Sequence, residues 1–420
     1  MAKIISRYHQ VVTYHKNVVA GKLGWLSAIK TGMITGSASN DPAGITTLAQ
    51  VGAVTGFGLV WLLALIIPAV VAIEEMSARI GEKTHQGLTK IIKYRYGAGV
   101  AGLVVTILAV CNIAAIGANV SAMAEILQIF TKIAWEWWVL PVALTLATIL
   151  IKNNYPKISR YLLWLTLALV FYIVAVLNIQ VSWPTAWQEI WPIQFIGSDI
   201  WLLATVALLG TTISPCLIFW QNTEEVEGKK RVKDIKTELR SIVIGFIFFF
   251  LIALSIIALA ATILRGDQFI TSAAQAALLL KPLVGQWAFL AFALGIIGSG
   301  LIGIPVLASS TAYSVAEAFN WPGGLSKHLK QARGFYSVIA GSLLIGSFLM
   351  FINISPMIMM LYTQVLNGIL TPILVIILLL ITNDQRVMGH HTNKWGSNLL
   401  GIGAVALMVF FDVWLLTKIF

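Results

Sequence analysis

The sequence predicts an all-α polytopic membrane protein with eleven transmembrane helices. Its composition is 58% hydrophobic and only 11% charged, with a mean hydropathy of +0.87, whereas globular domains average about 25% charged residues. Apolar runs long enough to cross a bilayer recur along the whole chain. Two of these runs are interrupted by polar residues and proline, and the interruptions predict how the helices are arranged.

The predicted spans follow one another closely and leave no room for a separate soluble domain. An N-terminal tail, residues 1–22, precedes them, and both cysteines fall within apolar spans, which argues against a disulfide framework. The predicted spans cover residues 23–54, 57–78, 99–126, 135–151, 159–181, 198–222, 241–265, 285–312, 335–353, 356–382 and 397–418.

The formal charge of +11 is explained by membrane topology and gives no reason to expect a nucleic-acid partner. Most lysines and arginines lie in the N-terminal tail and in alternate loops, which the positive-inside rule places in the cytoplasm. We therefore expect a multi-pass protein of the cell (inner) membrane, with its N-terminus cytoplasmic and its C-terminus outside. These basic loops also favour anionic lipid in the surrounding bilayer, and no obligate protein partner is indicated.

The two interrupted spans divide the chain into related halves. The first span is broken at 37–44 and the sixth at 210–216, and paired breaks of this kind mark the midplane site of transporters. Spans one to five (23–181) and six to ten (198–382) each begin with a broken helix. Because five is odd, the second set enters the membrane inverted, which is the repeat of leucine-transporter type. The span at 397–418 is an addition to this repeat.

The break in the first span contains a carboxylate, and the break in the sixth offers oxygen atoms. Asp41 precedes Pro42, a pattern typical of a helix N-cap, but a buried carboxylate also requires a partner, and we expect a cation. Thr211, Thr212 and Ser214 supply hydroxyls beside carbonyls released by the following proline. Taken alone, this second pattern also fits an ordinary proline kink whose hydroxyls bond back to the helix.

The residues around these breaks resemble the Nramp family of divalent-metal transporters, over nearly the whole chain. The resemblance is carried by the runs Asp41–Gly44 and Glu74–Gly81. Typical members have Asp-Pro-Gly-Asn in the first span, so Asp41 matches the aspartate and Gly44 replaces the asparagine. The resemblance implies a secondary transporter, not an enzyme, in which the metal is the transported substrate and no cofactor is required.

The sixth span departs from the family's Ala-x-x-Met-Pro-His pattern. Thr211 stands for the alanine whose carbonyl faces the metal, Ser214 for the methionine and Cys216 for the histidine, although a buried cysteine is more often a small apolar residue than a ligand. A second histidine of many members becomes Gln221, and a tenth-span glutamine that reaches the metal matches Gln364.

These departures replace a soft thioether by hard oxygen ligands, which removes the bias against magnesium. The Thr-Thr-x-Ser-Pro run is similar to that of the Nramp-related magnesium transporter branch, which implies transport of Mg²⁺ and Mn²⁺. Gly44 and Ser214 are smaller than the family residues and leave room for a hydrated ion.

Other interpretations stay open. A proton-coupled Mn²⁺/Fe²⁺ transporter would carry protons on Asp41 and Glu125. Glu125 is the residue that remains of the family's third-span Asp-x-x-Glu proton path. Every histidine lies in a tail or loop, so no histidine can relay protons between the membrane helices. Asn112 and Asn119 lie on one face of the third span, where they either pack between helices or line the ion path. An organic-substrate carrier on the same fold is a second rival, and an intramembrane enzyme lacks the required nucleophile–base pair.

Overall fold

The computed structural model describes residues 32, 40–152, 169–191, 198–227, 235–266, 269–277, 288–349, 351 and 355–419. Within these ranges the regular secondary structure is entirely helical, without a strand, as the sequence predicts. The principal helices are α1 (Pro42–Thr55), α2 (Val60–Thr84), α3 (Leu88–Thr131), α4 (Trp135–Lys152), α5 (Trp183–Ile190), α6 (Asp199–Thr212), α7 (Pro215–Glu227), α8 (Ile235–Ile263), α9 (Ala273–Ala277), α10 (Ala288–Phe319), α11 (Arg333–Leu349), α12 (Pro356–Asn383), α13 (Gln385–Met388) and α14 (Trp395–Ile419).

Seven helical segments among the described residues are long and apolar enough to cross a membrane, counting α6 and α7 together, and α4 and α11 are shorter apolar helices. Residues 159–168 of the predicted fifth span lie outside the described residues, as does the part of the first span that precedes Asn40, apart from residue 32. The helices confirm the all-α membrane fold, while the count of eleven stays a prediction.

Helix α3 begins well before the predicted span at 99–126. Its first turn receives side-chain caps from two other helices: Asn222 Oδ1 accepts from the Leu88 amide at 2.7 Å, and Glu317 Oε2 accepts from the Lys90 amide at 3.4 Å. Gly97, at φ 90°, then interrupts the helix, a conformation that glycine adopts without a side-chain penalty. The segment before Gly97 is therefore a separate short helix joined to the span by a bend.

Both predicted interruptions coincide with helix ends. Helix α1 begins at Pro42 with Asp41 as its N-cap. Helix α6 ends at Thr212, and α7 starts at Pro215. Because proline has no amide hydrogen, the carbonyl of Thr211 loses its normal i+4 donor at the second break.

Small residues allow the helices around these breaks to approach each other closely. A Cβ placed on Gly210 of α6 would lie 2.0 Å from the Gln364 carbonyl of α12, and one on Gly368 would lie 2.6 Å from the Val206 carbonyl. On the other side, a Cβ on Gly52 of α1 would lie 2.4 Å from the Ile257 carbonyl of α8. Such contacts are the usual way in which membrane helices pack, and here they fix α12 against the end of α6.

Candidate metal site

Asp41 is held in place by two hydrogen bonds, one to each carboxylate oxygen. Its Oδ1 accepts from the Gly44 amide at 2.7 Å, the bond of an N-cap, and its Oδ2 accepts from Asn119 Nδ2 at 2.7 Å. Asn119 Oδ1 in turn accepts from the Ala43 amide at 2.9 Å. Since a carboxylate has about four lone-pair positions, about two are left for a cation.

The surroundings of Asp41 exclude bulk water. The residue is 8% exposed, and Asn119 is fully buried. Gly303 of α10 packs so closely that a Cβ there would lie 2.6 Å from the Asp41 Cβ. The N-terminus of α1 stabilises the negative charge of the carboxylate, but a carboxylate at this depth still favours a positive partner strongly.

A small cavity joins Asp41 to the break in the sixth span. Its volume is about 20 Å³, while one water molecule requires roughly 10–15 Å³ by a comparable measure. In this conformation the space therefore suits one water molecule or one ion with little of its hydration shell. The residues around it come from α1, α3, the α6–α7 break, α10 and α12: Asp41, Ala115, Thr211, Ser214, Cys216, Leu217, Gly303, Leu307, Gln364 and Asn367.

The break between α6 and α7 contributes backbone and side-chain oxygens to this cavity. Thr211 and Ser214 both line it, and the Thr211 carbonyl has no i+4 donor because residue 215 is proline. Thr212 lies differently: its hydroxyl donates back to the Leu208 carbonyl at 2.6 Å, as in an ordinary kinked helix. Cys216 brings the buried thiol to the cavity wall.

Helix α12 contributes two amide side chains. Gln364, predicted from the sequence, lines the cavity, and its Oε1 accepts from Asn367 Nδ2 at 3.0 Å. Asn367 was not predicted, although it lies on the same face of an apolar helix, three residues further on. Its Oδ1 is buried without a hydrogen-bond partner among the described residues. Buried oxygens are rarely left unpaired, so this atom is available to an ion or to water.

The remaining candidates lie away from the cavity. Gly44 contributes only the amide that caps Asp41. Asn112 donates to the Leu307 carbonyl at 3.2 Å and to the Thr311 hydroxyl at 3.0 Å, so it bonds α3 to α10 and does not line the cavity. Gln221 is buried on α7 but does not line the cavity.

Glu125 lies at a different place on α3. Its Oε1 accepts from the Ala273 amide at 3.0 Å, at the start of the short helix α9, and its Oε2 is buried without a partner among the described residues. Glu125 therefore contacts the segment that connects α8 to α10 and does not line the cavity around Asp41.

The donors around the cavity are mostly hard oxygen atoms, with a single carboxylate and one thiol. Among the described residues there is no cluster of three or more histidine, cysteine, aspartate and glutamate side chains that could bind a metal ion. This arrangement differs from tight zinc or iron sites, which use several nitrogen, sulfur or carboxylate ligands. It suits a cation that is held by one charge and several dipoles.

One family model matches nearly the whole chain. The model of the Nramp family (natural resistance-associated macrophage protein-like) matches residues 32–418. The divalent metal cation transporter MntH of Vibrio campbellii is 24% identical over 219 residues, which are 50% of this chain and 49% of that protein. The match thus spans about half the length of this curated relative.

Two solved structures establish the fold. The manganese transporter of Eremococcus coleocola superposes with a TM-score of 0.67 at 15% identity, covering 94% of this chain and 95% of that one. Mhp1, a nucleobase-cation-symport-1 family transporter, superposes with a TM-score of 0.58 at 12% identity over 93% of each chain. The fold is therefore the all-α, leucine-transporter type with broken helices that the sequence predicts.

Proposed function

This chain belongs to the Nramp family, and on that premise we propose that it is a secondary transporter that moves Mg²⁺ and Mn²⁺ into the cytoplasm by alternating access. The observation that carries this proposal is the buried Asp41 carboxylate, which shares one small cavity with the broken end of α6 and the amides of α12. No cofactor is part of the proposal, because the metal ion is the transported substrate.

In the proposed site Asp41 is the charged ligand. The Thr211 carbonyl, the Ser214 hydroxyl and the amide oxygens of Gln364 and Asn367 complete the coordination, directly or through water. All are oxygens, which Mg²⁺ and Mn²⁺ accept, while the soft ligands that discriminate against Mg²⁺ are limited to the Cys216 thiol. Magnesium loses its water reluctantly, so a larger hydration shell belongs to conformations in which the cavity is wider.

We propose that uptake is driven by the membrane potential without strict proton coupling. A divalent ion gains about 4.6 kcal/mol in a 100 mV potential, since each charge gains about 2.3 kcal/mol, and this corresponds to more than three decades of accumulation.

We further propose that the protein lies in the cell inner membrane with its N-terminus in the cytoplasm. Its membrane region consists of inverted repeats at 23–181 and 198–382, followed by the additional span 397–418.

The alternative is proton-coupled transport of Mn²⁺ or Fe²⁺. One observation favours it: Glu125 is largely buried, and one of its carboxylate oxygens has no partner among the described residues, as expected of a group that exchanges a proton. In this alternative Asp41 and Glu125 carry the protons, and replacing Glu125 with glutamine abolishes the proton flux while the metal site is retained.

The test is uptake of Mg²⁺ and Mn²⁺ into proteoliposomes under a set potential, with a pH-sensitive dye inside. Entry of Mg²⁺ without acidification supports the proposal, whereas entry of Mn²⁺ alone, with acidification, selects the proton-coupled alternative. Asp41→Ala should abolish uptake of both metals, and Asp199→Ala, which removes an exposed carboxylate at the start of α6, should leave it unchanged. Normal uptake by a folded Asp41→Ala protein would overturn the site assignment.

A further inference from the structure

A groove with a volume of about 640 Å³ lies away from the Asp41 cavity, where α12 and α14 meet the bend in α3. Its floor is aliphatic and faces the membrane: Ile376 is 42% exposed, Leu380 54% and Ile402 60%. Ile376 and Asn383, the last residue of α12, are seven residues apart, or about 10 Å at the rise of an α-helix. One leaflet contributes about 15 Å to the hydrocarbon core of the bilayer, and the groove floor covers most of that depth.

The mouth of the groove carries one positive and one negative side chain. The bend at Gly97 brings Arg95 and Tyr96 over the end of α12, where Arg95 Nε donates to Asp384 Oδ2, and the guanidinium lies 5.6 Å from the centre of the Tyr96 ring. The hydrogen bond from Arg95 lowers the pKa of the Asp384 carboxyl, so this group is ionised at neutral pH.

Both charged side chains have capacity for a further partner. Within the described residues no acceptor bonds to the terminal amino groups of Arg95, and 34% of this side chain is exposed. Each oxygen of Asp384 accepts one hydrogen bond, from Arg95 Nε and from the Arg386 amide at 2.9 Å, which leaves about two lone-pair positions on the carboxylate.

Hydrogen bonds between the neighbouring helices hold the groove in shape. Asn383 of α12 and Asn398 of α14 exchange two hydrogen bonds, each of 2.8 Å, and Asn393 donates to Thr382 at 2.9 Å and to Asn398 at 2.7 Å. Paired amides of this kind fix one helix against the other at the membrane surface. The groove therefore exists before a ligand binds, which lowers the entropic cost of binding.

We propose that this groove binds one molecule of phosphatidylethanolamine. Its phosphate accepts two hydrogen bonds from the terminal nitrogens of Arg95, the fork geometry that guanidinium groups offer to phosphate. Its primary ammonium donates to Asp384, and an acyl chain follows Leu380, Ile376 and Ile402 into the leaflet. A choline head group has no N–H to donate to Asp384. Phosphatidylglycerol brings no positive charge to this carboxylate.

The test is native mass spectrometry of the full-length protein in detergent, after addition of equal amounts of phosphatidylethanolamine, phosphatidylglycerol and phosphatidylcholine with the same acyl chains. We expect one phosphatidylethanolamine to be retained in preference to the other two lipids. Arg95→Gln should reduce the retained fraction of phosphatidylethanolamine about tenfold. Arg386→Gln, which removes an exposed guanidinium two residues after Asp384, should leave this fraction unchanged.

A second variant separates lipid binding from effects on the ion pair. Ile402→Trp places a large side chain on the groove floor and leaves Arg95 and Asp384 untouched, so it should reduce retention to a similar extent. Equal retention of phosphatidylethanolamine by the wild type, Arg95→Gln and Ile402→Trp would overturn the proposal. Retention of phosphatidylglycerol or phosphatidylcholine at or above the level of phosphatidylethanolamine would overturn it as well.

Discussion

Replacing Gly303 with alanine is the sharpest test of how Asp41 is positioned. The added Cβ would lie 2.6 Å from the Asp41 Cβ, whereas carbon atoms in contact are about 3.5–4.0 Å apart. Either Asp41 or α10 must therefore move by about 0.9 Å, the difference between these distances. The hydrogen bonds of 2.7 Å from Asn119 and Gly44 to Asp41 would lengthen to as much as about 3.6 Å, beyond the usual limit of about 3.2 Å.

The loss of one hydrogen bond to a charged group costs about 1.5–3 kcal/mol. Because Asp41 is then no longer held in the position that binds the ion, the KM for metal uptake by the Gly303→Ala protein should rise about tenfold to a hundredfold. Overpacking of this kind also lowers the free energy of unfolding, by about 1–3 kcal/mol. The measurement is therefore concentration-dependent Mg²⁺ and Mn²⁺ uptake, together with thermal unfolding of the same preparation.

Gly341→Ala on α11 is the matched control, since outside its own helical turn no atom of the described residues lies within 4 Å of the added Cβ. In that protein we expect an unchanged KM and equal or slightly greater stability, because alanine is preferred to glycine within a helix. A folded Gly303→Ala protein with the wild-type KM would refute the reasoning, since Asp41 would then tolerate displacement without losing its function.

Three further substitutions address the proposed ligands and their support. Asn119→Ala removes the 2.7 Å hydrogen bond to Asp41 and should raise the KM for both metals about tenfold; uptake kinetics with the wild-type KM would contradict this role. Ser214→Met brings a thioether to the cavity wall and should shift preference toward Mn²⁺, which competition between the two metals measures; an unchanged ratio would count against selection by ligand softness. Cys216→Ser should leave Mg²⁺ uptake within about twofold, because the proposed ligands are oxygens, and a larger loss in the same uptake assay would assign the thiol a direct role.

Local chemistry made the helix ends predictable from the sequence. Pro42 and Pro215 have no amide hydrogen and therefore favour the first turn of a helix, and Asp41 has the side chain of a good N-cap. The structure has α1 and α7 beginning at these prolines. Long apolar runs likewise predicted the membrane helices without knowledge of their packing.

Contacts between distant segments were not predictable from a single sequence. Asn119 lies 78 residues from Asp41, and nothing local distinguishes a packing asparagine from one that supports a carboxylate. Gly303 has no side chain to mark it, and its importance comes from the approach of α10 to Asp41. Asn367 did carry a signal, because two amides three residues apart on an apolar helix share one face.

The charge of the site supports a transport role over permanent metal binding. One carboxylate leaves a divalent ion with a net charge of about +1, which dipoles of the α6 break and the α12 amides stabilise only partly. Structural metal sites use more charged ligands and release their ions slowly, while a transported ion must bind well enough to enter and weakly enough to leave. An added carboxylate would therefore tighten binding but slow release. Asn367→Asp should accordingly lower the KM for Mn²⁺ and lower the maximal uptake rate as well, and an increase in both affinity and rate would show that release is not the slow step.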